Sequence, residues 1–238
     1  VHLHVHSQYS LLEATCRSKA LAKKAAELGM PALALTDNGN MFGAIEFYFA
    51  CKDVGIKPIV GLEVFIAPKS RLVKGEDKDA ASQPARRLVL LAQNYTGYQS
   101  LCRLSTIGYQ EGLYYRPRVD YETLEKHSTD ILALSGGLMG EVPWTFLNKG
   151  PEAAMDRIRH FQKIYGDRFY LEICRTAVKG WEQIVPFMQQ ASRETGVKLV
   201  ATNDVHYLTR DEQMAQEVLL CIGTNKSLQD ENRFRLGS

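Results

Sequence analysis

Two short stretches of the sequence carry side chains that could hold a metal ion. The chain opens on His2-Leu3-His4-Val5-His6, and Asn203-Asp204-Val205-His206 follows the apolar run Leu199-Val200-Ala201. Residues two apart on an extended strand face the same way, so the three imidazoles of the opening are expected along one face. Three imidazoles sit badly in an apolar core, since each has ring nitrogens to satisfy, and imidazole is the commonest transition-metal ligand. A tag remnant or a solvated edge strand would give a similar composition, but an alternating HLHVH running into SQYSLL does not look like a tag. Asp204 and His206 repeat the two-residue spacing at a strand end, where β/α barrels build their active sites. Carboxylate with imidazole suits zinc, manganese or iron. Alone, the DxH pair reads as a capping Asp beside a surface His, and its weight comes from the partners the first stretch supplies.

Two further carboxylates qualify. Glu63, in Gly61-Leu62-Glu63, interrupts the apolar run Pro58 to Phe65, and a buried carboxylate needs a metal, a cation or exposure. Asp37 lies at a strand end in Leu35-Thr36-Asp37-Asn38-Gly39-Asn40. It reads as a ligand, as a support for one, or simply as an Asx turn.

The elements that must position these residues alternate in type. Strand patterns cover 1–6, 32–36, 58–67, 88–92, 131–134, 169–173 and 198–202. Helical patterns cover 18–28, 42–54, 98–109, 151–165, 181–195 and 211–221. About seven β/α repeats without a strand-rich block predict a parallel sheet covered by helices. No GxGxxG follows the first strand, which favours a barrel over a nucleotide-binding open sheet. Residues 69–86, charged with both signs, predict a mobile surface loop. His127 and His160 read as surface residues. Tyr109, Tyr114, Tyr115, Arg116 and Arg118 could clamp nucleic acid, but packing around an exposed turn is the favoured reading.

Composition sets wider bounds. The 238 residues are 45% hydrophobic and 24% charged, enough apolar surface for a core. A net charge of +2 argues neither for nor against nucleic acid. No run approaches the roughly 18 apolar residues of a membrane helix. Cys16, Cys51, Cys102, Cys174 and Cys221 are scattered and odd in number, which predicts free buried thiols and a cytoplasmic setting. The chain begins at Val1, directly in a strand, and reads as a fragment of something longer.

HLHVHS, TDNGN, GLE, LVLLAQNYTGYQ, LSGGLMGE and ATNDVHY occur in this order. Together they resemble the polymerase-and-histidinol-phosphatase (PHP) domain at the N-terminus of bacterial DNA polymerase III alpha subunits, over essentially the whole chain. The resemblance implies an α/β fold, a distorted seven-stranded (β/α)7 barrel, as a single domain over 1–238 followed by polymerase domains. It implies nine side chains holding up to three ions at the barrel mouth. His4, His6, Glu63, Asp204 and His206 match that set, and Glu13 stands where an Asp is usual. Asn38 and Arg87 stand in place of His, and Gly137 in place of Cys.

An amide is a weak ligand, glycine offers none, and a guanidinium is a fixed cation that cannot accept. It would repel metals or fill a vacated metal position by pairing with a carboxylate. The expectation is zinc, manganese or magnesium at partial occupancy, or none. The family then implies a structural module that supports the polymerase and docks a proofreading exonuclease subunit, among other replisome subunits and DNA, with no membrane. The competing implication is an active metal-dependent phosphoesterase or 3′–5′ exonuclease. A stand-alone small-molecule phosphatase is weaker, because TGYQ and TNDVHY resemble the polymerase branch.

Overall fold

The computed structural model describes residues 1–75, 84–174, 178 and 180–236. The chain begins with α1 (Ser18–Glu27), β1 (Ala32–Leu35), α2 (Ala44–Asp53), β2 (Lys57–Ile66) and β3 (Arg86–Ala92). It continues through α3 (Tyr95–Gln110), β4 (Arg118–Val119), α4 (Tyr121–Lys126), β5 (Ile131–Leu134), α5 (Glu141–Lys149) and α6 (Pro151–Tyr165). It closes with β6 (Phe169–Cys174), α7 (Trp181–Thr195), β7 (Lys198–Thr202) and α8 (Gln213–Thr224). The sequence pattern missed α4 and α5. The first spans six residues, too few to show a 3.6-residue period, and the second carries Pro143 in its first turn.

The described strands form one curled, mixed sheet in the order β1-β2-β3-β5-β6-β7, with β4 on β2. The expectation of an all-parallel sheet is corrected here, because β3 runs antiparallel to both β2 and β5. β2 and β3 are neighbours paired in opposite directions, so the chain returns beside itself and no crossover is needed between them. The uniformly apolar runs could not show this, because strands buried on both faces read alike in either direction. Reversal has a consequence for the site. It brings Arg87, at the start of β3, opposite Phe65 near the C-terminal end of β2.

The opening residues differ from expectation too. Regular strand pairing over 1–6 is absent, and the one bridge joins Val5 to Val205. Backbone N–H groups of His6 and Ala34 donate to Val205 (2.8 Å) and His2 (3.0 Å), while Thr36 donates to Val5 at 2.8 Å. The stretch therefore lies between β1 and the segment after β7. The Thr36 hydroxyl takes the Val5 N–H at 2.9 Å, a side-chain substitute for a ladder bond. His2 does not join the other two imidazoles: it lines a small cavity with Leu21, Leu33 and Tyr207.

Alternation along the strands sorts the core into layers. Ala34, Val89, Leu91 and Leu134 pack inside the curl. Leu62, Val64, Leu88 and Leu90 pack outward against Leu101, Ile158 and Ile184 of the covering helices. All five cysteines are free thiols, four of them buried; burial pushes Cys16 up to about 12. His160 packs half-buried against Tyr121, 4.6 Å between ring centroids. No described helix is long and apolar enough to cross a membrane.

Part of the 69–86 stretch is tied down, while 76–83 lies outside the described residues. Arg71 pairs with Asp120 at 3.0 Å and Glu111 at 2.7 Å, because Asp120 caps α4 through Thr123 and needs a counter-charge. Burial works against the Asp120 charge, yet the Arg71 and Thr123 N–H groups and the Arg71 guanidinium hold its ionisation below the ordinary value. Asp120→Ala is expected to cost about 1–3 kcal/mol, read by urea unfolding at pH 7. A depressed carboxylate stabilises above its unfolded pKa, so the penalty should shrink as pH falls below about 4. A penalty independent of pH would contradict this assignment.

Candidate metal centre

The residues predicted from sequence meet at one end of the sheet, most of them on loops that follow strands. His4 and His6 come from the opening stretch, Asp37 and Asn38 from just after β1, Glu63 from within β2, and Asp204 and His206 from just after β7. Nε2 of His4, His6 and His206 lie 3.4, 3.1 and 3.0 Å from one atom, Oδ1 of Asp204. Nε2 of His4 also lies 3.2 Å from Glu63 Oε1. Asp204 adopts a left-handed backbone, φ +48°, which Asp and Asn tolerate better than other side chains. That turn aims its carboxylate at the imidazoles.

Each imidazole is held from behind through Nδ1. His206 donates to the Glu13 carbonyl at 2.9 Å, and a carbonyl can only accept. His4 faces Glu172 Oε1 at 2.7 Å. His6 faces the Ser10 hydroxyl at 3.2 Å, whose proton goes to Asp37 at 2.7 Å. These partners place a proton on every Nδ1 and leave every Nε2 lone pair facing Asp204. Lone pairs of three imidazoles and a carboxylate directed at one another require a cation between them. Without a metal, a proton on His4 can supply it. Burial opposes charge on His4, but Glu172 and Asp204 hold its ionisation well above the ordinary value. Asp204 is held well below its own, against burial, by His4 and His206.

The donor set fits a metal ion. His4, His6 and Asp204 each offer an atom within 4.8 Å of the others. The edge of a tetrahedron with bonds of about 2.1 Å is about 3.4 Å, close to the separations around Asp204 Oδ1.

The opposite wall is built differently. Arg87 donates to Glu63 Oε2 and Glu13 Oε2, each at 3.0 Å, with Asn38 Oδ1 at 3.4 Å. Arg116 reaches the other Glu13 oxygen at 2.5 Å, and Asn38 donates to Glu13 Oε2 at 2.6 Å. Glu13 is thus engaged by two guanidiniums and an amide and is kept apart from the imidazoles. Burial alone would raise Glu63, but Arg87, with His4, pulls it down to about 2. Asp37 accepts from the Ser7 N–H, the Ser7 hydroxyl and Ser10 (each 2.7 Å), which places it behind His6. A Cβ on Gly137 would lie 3.1 Å from Asp204 Oδ2. Gly137→Cys should therefore aim a thiolate at the cluster and tighten zinc binding, measured by chelator competition; unchanged affinity would contradict this geometry.

Sequence reasoning passed over Glu172, although it interrupts an apolar strand just as Glu63 does. It did not consider Ser7 and Ser10, whose hydroxyls hold Asp37 and His6. Of the tyrosine–arginine group, Arg118 is buried and donates to the Gly112 and Val73 carbonyls at 3.0 and 2.8 Å. Arg116 and Tyr115 instead line a cleft of about 960 Å³ that also touches Glu13, Glu63, Asp204 and His206.

The model of the PHP domain family matches residues 2–176. The chain belongs to the PHP domain family. Among curated relatives of this PHP domain, DNA polymerase III subunit alpha of Borreliella burgdorferi is 42% identical over 236 residues, and that of Treponema pallidum 40% over 236. Each match covers 99% of this chain but only 20% of the relative, so the chain spans about a fifth of their length. Among solved structures, a two-domain protein of Bacteroides vulgatus containing a predicted PHP-like metal-dependent phosphoesterase aligns with TM-score 0.55 at 12% identity, over 91% of this chain and 55% of that one. An amidohydrolase of Chromobacterium violaceum aligns with TM-score 0.53 at 13% identity, over 92% and 96%. At such identities the likeness concerns the fold, an α/β half-barrel with a curled sheet. The family match stops short of Asp204 and His206, yet the PHP domain folds both onto His4 and His6.

Proposed function

We propose that residues 1–238 are the single PHP domain of a bacterial, cytoplasmic DNA polymerase III alpha subunit, and that its metal cluster is reduced to a site for one ion. In this reading the domain supports the polymerase domains of the same chain and docks a proofreading exonuclease subunit, and it is not itself the hydrolase. The reading rests on one contact, the Arg87 guanidinium spanning Glu63 and Glu13. Those carboxylates would otherwise serve ions, and a fixed cation between them repels any second metal. His4, His6, Asp204 and His206, with Glu63 beside them, would hold the remaining ion. Zinc fits three imidazoles and a carboxylate, and manganese or magnesium fits less well.

A bound ion would polarise a phosphoryl oxygen and acidify a coordinated water. The chain's own residues would do less than a hydrolase needs. Glu13 is occupied by Arg87 and Arg116 and Glu63 by Arg87, so among the described residues no carboxylate on that wall is free to take a proton from water. The alternative, an active phosphoesterase or exonuclease, draws support from the open cleft and from Arg116, half exposed at its edge and able to meet a phosphate.

Nuclease assay on 3′-labelled single-stranded DNA separates them, using the full-length chain with zinc or manganese. The expected result is no cleavage above that of the Asp204→Asn variant, with an exonuclease subunit retained on the wild-type chain. Metal-dependent cleavage abolished by Asp204→Asn would overturn the proposal.

A further inference from the structure

We infer that Glu172, with Thr202, is a positioning residue for this centre: it keeps a proton on Nδ1 of His4 and so presents Nε2 as the ligand atom. The inference deepens the one-ion reading above and rests on it. Glu172 lies within β6 and is fully buried. Its Oε1 accepts from His4 Nδ1 at 2.7 Å and from the Thr202 hydroxyl. Its Oε2 is buried without a hydrogen-bond partner. A carboxylate with an empty oxygen is a costly way to fill space in an apolar strand, where a similar-sized hydrophobic side chain would pack as well.

Its surroundings are built to aim it. Glu172 pairs with Val200, and Cys174 with Thr202, in the parallel register of β6 and β7. That register brings Glu172 and Thr202 together on the inner face of the sheet. The Ser135 hydroxyl takes the Glu172 backbone N–H at 2.9 Å, which pins the strand at this residue. The Thr202 hydroxyl has one proton, spent on Oε1, so Oε1 keeps one acceptor direction for His4.

Among the three imidazoles, His6 leans on a serine and His206 on a backbone carbonyl. His4 leans on a carboxylate, the partner that both fixes a ligand ring and strengthens it as a donor. No other described side chain hydrogen-bonds His4 Nδ1.

Two substitutions separate this role from packing. Glu172→Met keeps similar volume and removes the acceptor; Glu172→Gln keeps one carbonyl acceptor. In ¹H–¹⁵N spectra of the metal-free protein, His4 Nδ1 should carry a slowly exchanging proton in the wild type and the Gln variant, and lose it in the Met variant. Zinc affinity by chelator competition should fall about 10–100-fold in the Met variant and stay near wild type in the Gln variant.

An unprotonated Nδ1 in the wild type would overturn the inference, even if the Met variant failed to fold. So would a folded Met variant that binds zinc as tightly as the wild type. If the wild type takes up no zinc but the Nδ1 proton behaves as stated, the one-ion reading fails while the role of Glu172 stands.

Discussion

Replacing Arg87 with Met is expected to destabilise the domain by about 3–5 kcal/mol. For a chain of this length that lowers the melting temperature by roughly 6–20 °C. The loss comes from Glu63, which is 1% exposed and pairs with Arg87 at 3.0 Å. Without the guanidinium its charge is buried against imidazoles alone, and breaking one side of a buried pair leaves an uncompensated ion. The effect should depend on pH in a defined direction. Glu63 is held at about 2 in the folded chain against an ordinary 4.5. A depressed carboxylate stabilises above its unfolded pKa and loses that contribution as pH falls through the folded one. The wild-type advantage should therefore be full above about pH 4.5 and narrow below it. Measured in a chelator, a melting temperature within 2 °C of wild type would contradict the role given to Arg87. Added zinc should restore part of the loss, since an ion can then take the place of the guanidinium between Glu63 and Glu13.

Asp204→Asn should reduce zinc affinity more than 100-fold. Three imidazole nitrogens converge on one oxygen of this residue, so the change removes the charge that any ion at this point would share. Asn tolerates the left-handed backbone at 204, so the fold should survive and the variant should melt cooperatively in a chelator. Isothermal titration with zinc reads the affinity. Retention of wild-type affinity would place the ion somewhere other than this cluster.

Much of the site could be read from residue types and spacing, for a physical reason. Imidazoles and carboxylates inside apolar strands are costly, so each one marks a place where something must neutralise it. His4, His6 and Glu63 announced themselves that way, Asp204 and His206 gained weight only as their partners, and the fold brings all five together. Glu172 gave the same signal from within Phe169–Cys174 but had no motif beside it. The reach of Arg87 was legible as a departure from a family pattern. Its two carboxylate partners were not, because strand direction is invisible in a uniformly apolar run. Only the antiparallel course of β3 shows that its first residues, not its last, reach the site. Likewise the HLHVH alternation suggested three imidazoles on one face, whereas the stretch has a single bridge, to Val205, and turns His2 away.

The polymerase-like NYTGYQ stretch proved structural. Asn94 caps α3 through the Gly97 N–H at 3.1 Å. A Cβ on Gly97 would meet the Asp130 carbonyl oxygen at 2.1 Å, so glycine there lets the helix approach the chain before β5. Its presence says how the helix packs and nothing about a substrate.

The most direct test is the metal content of the protein purified without chelator, by elemental analysis against protein concentration. With the Arg87 guanidinium between Glu63 and Glu13, at most one equivalent of transition metal is expected, with no increase after dialysis against excess zinc and manganese. Two or three equivalents would contradict it.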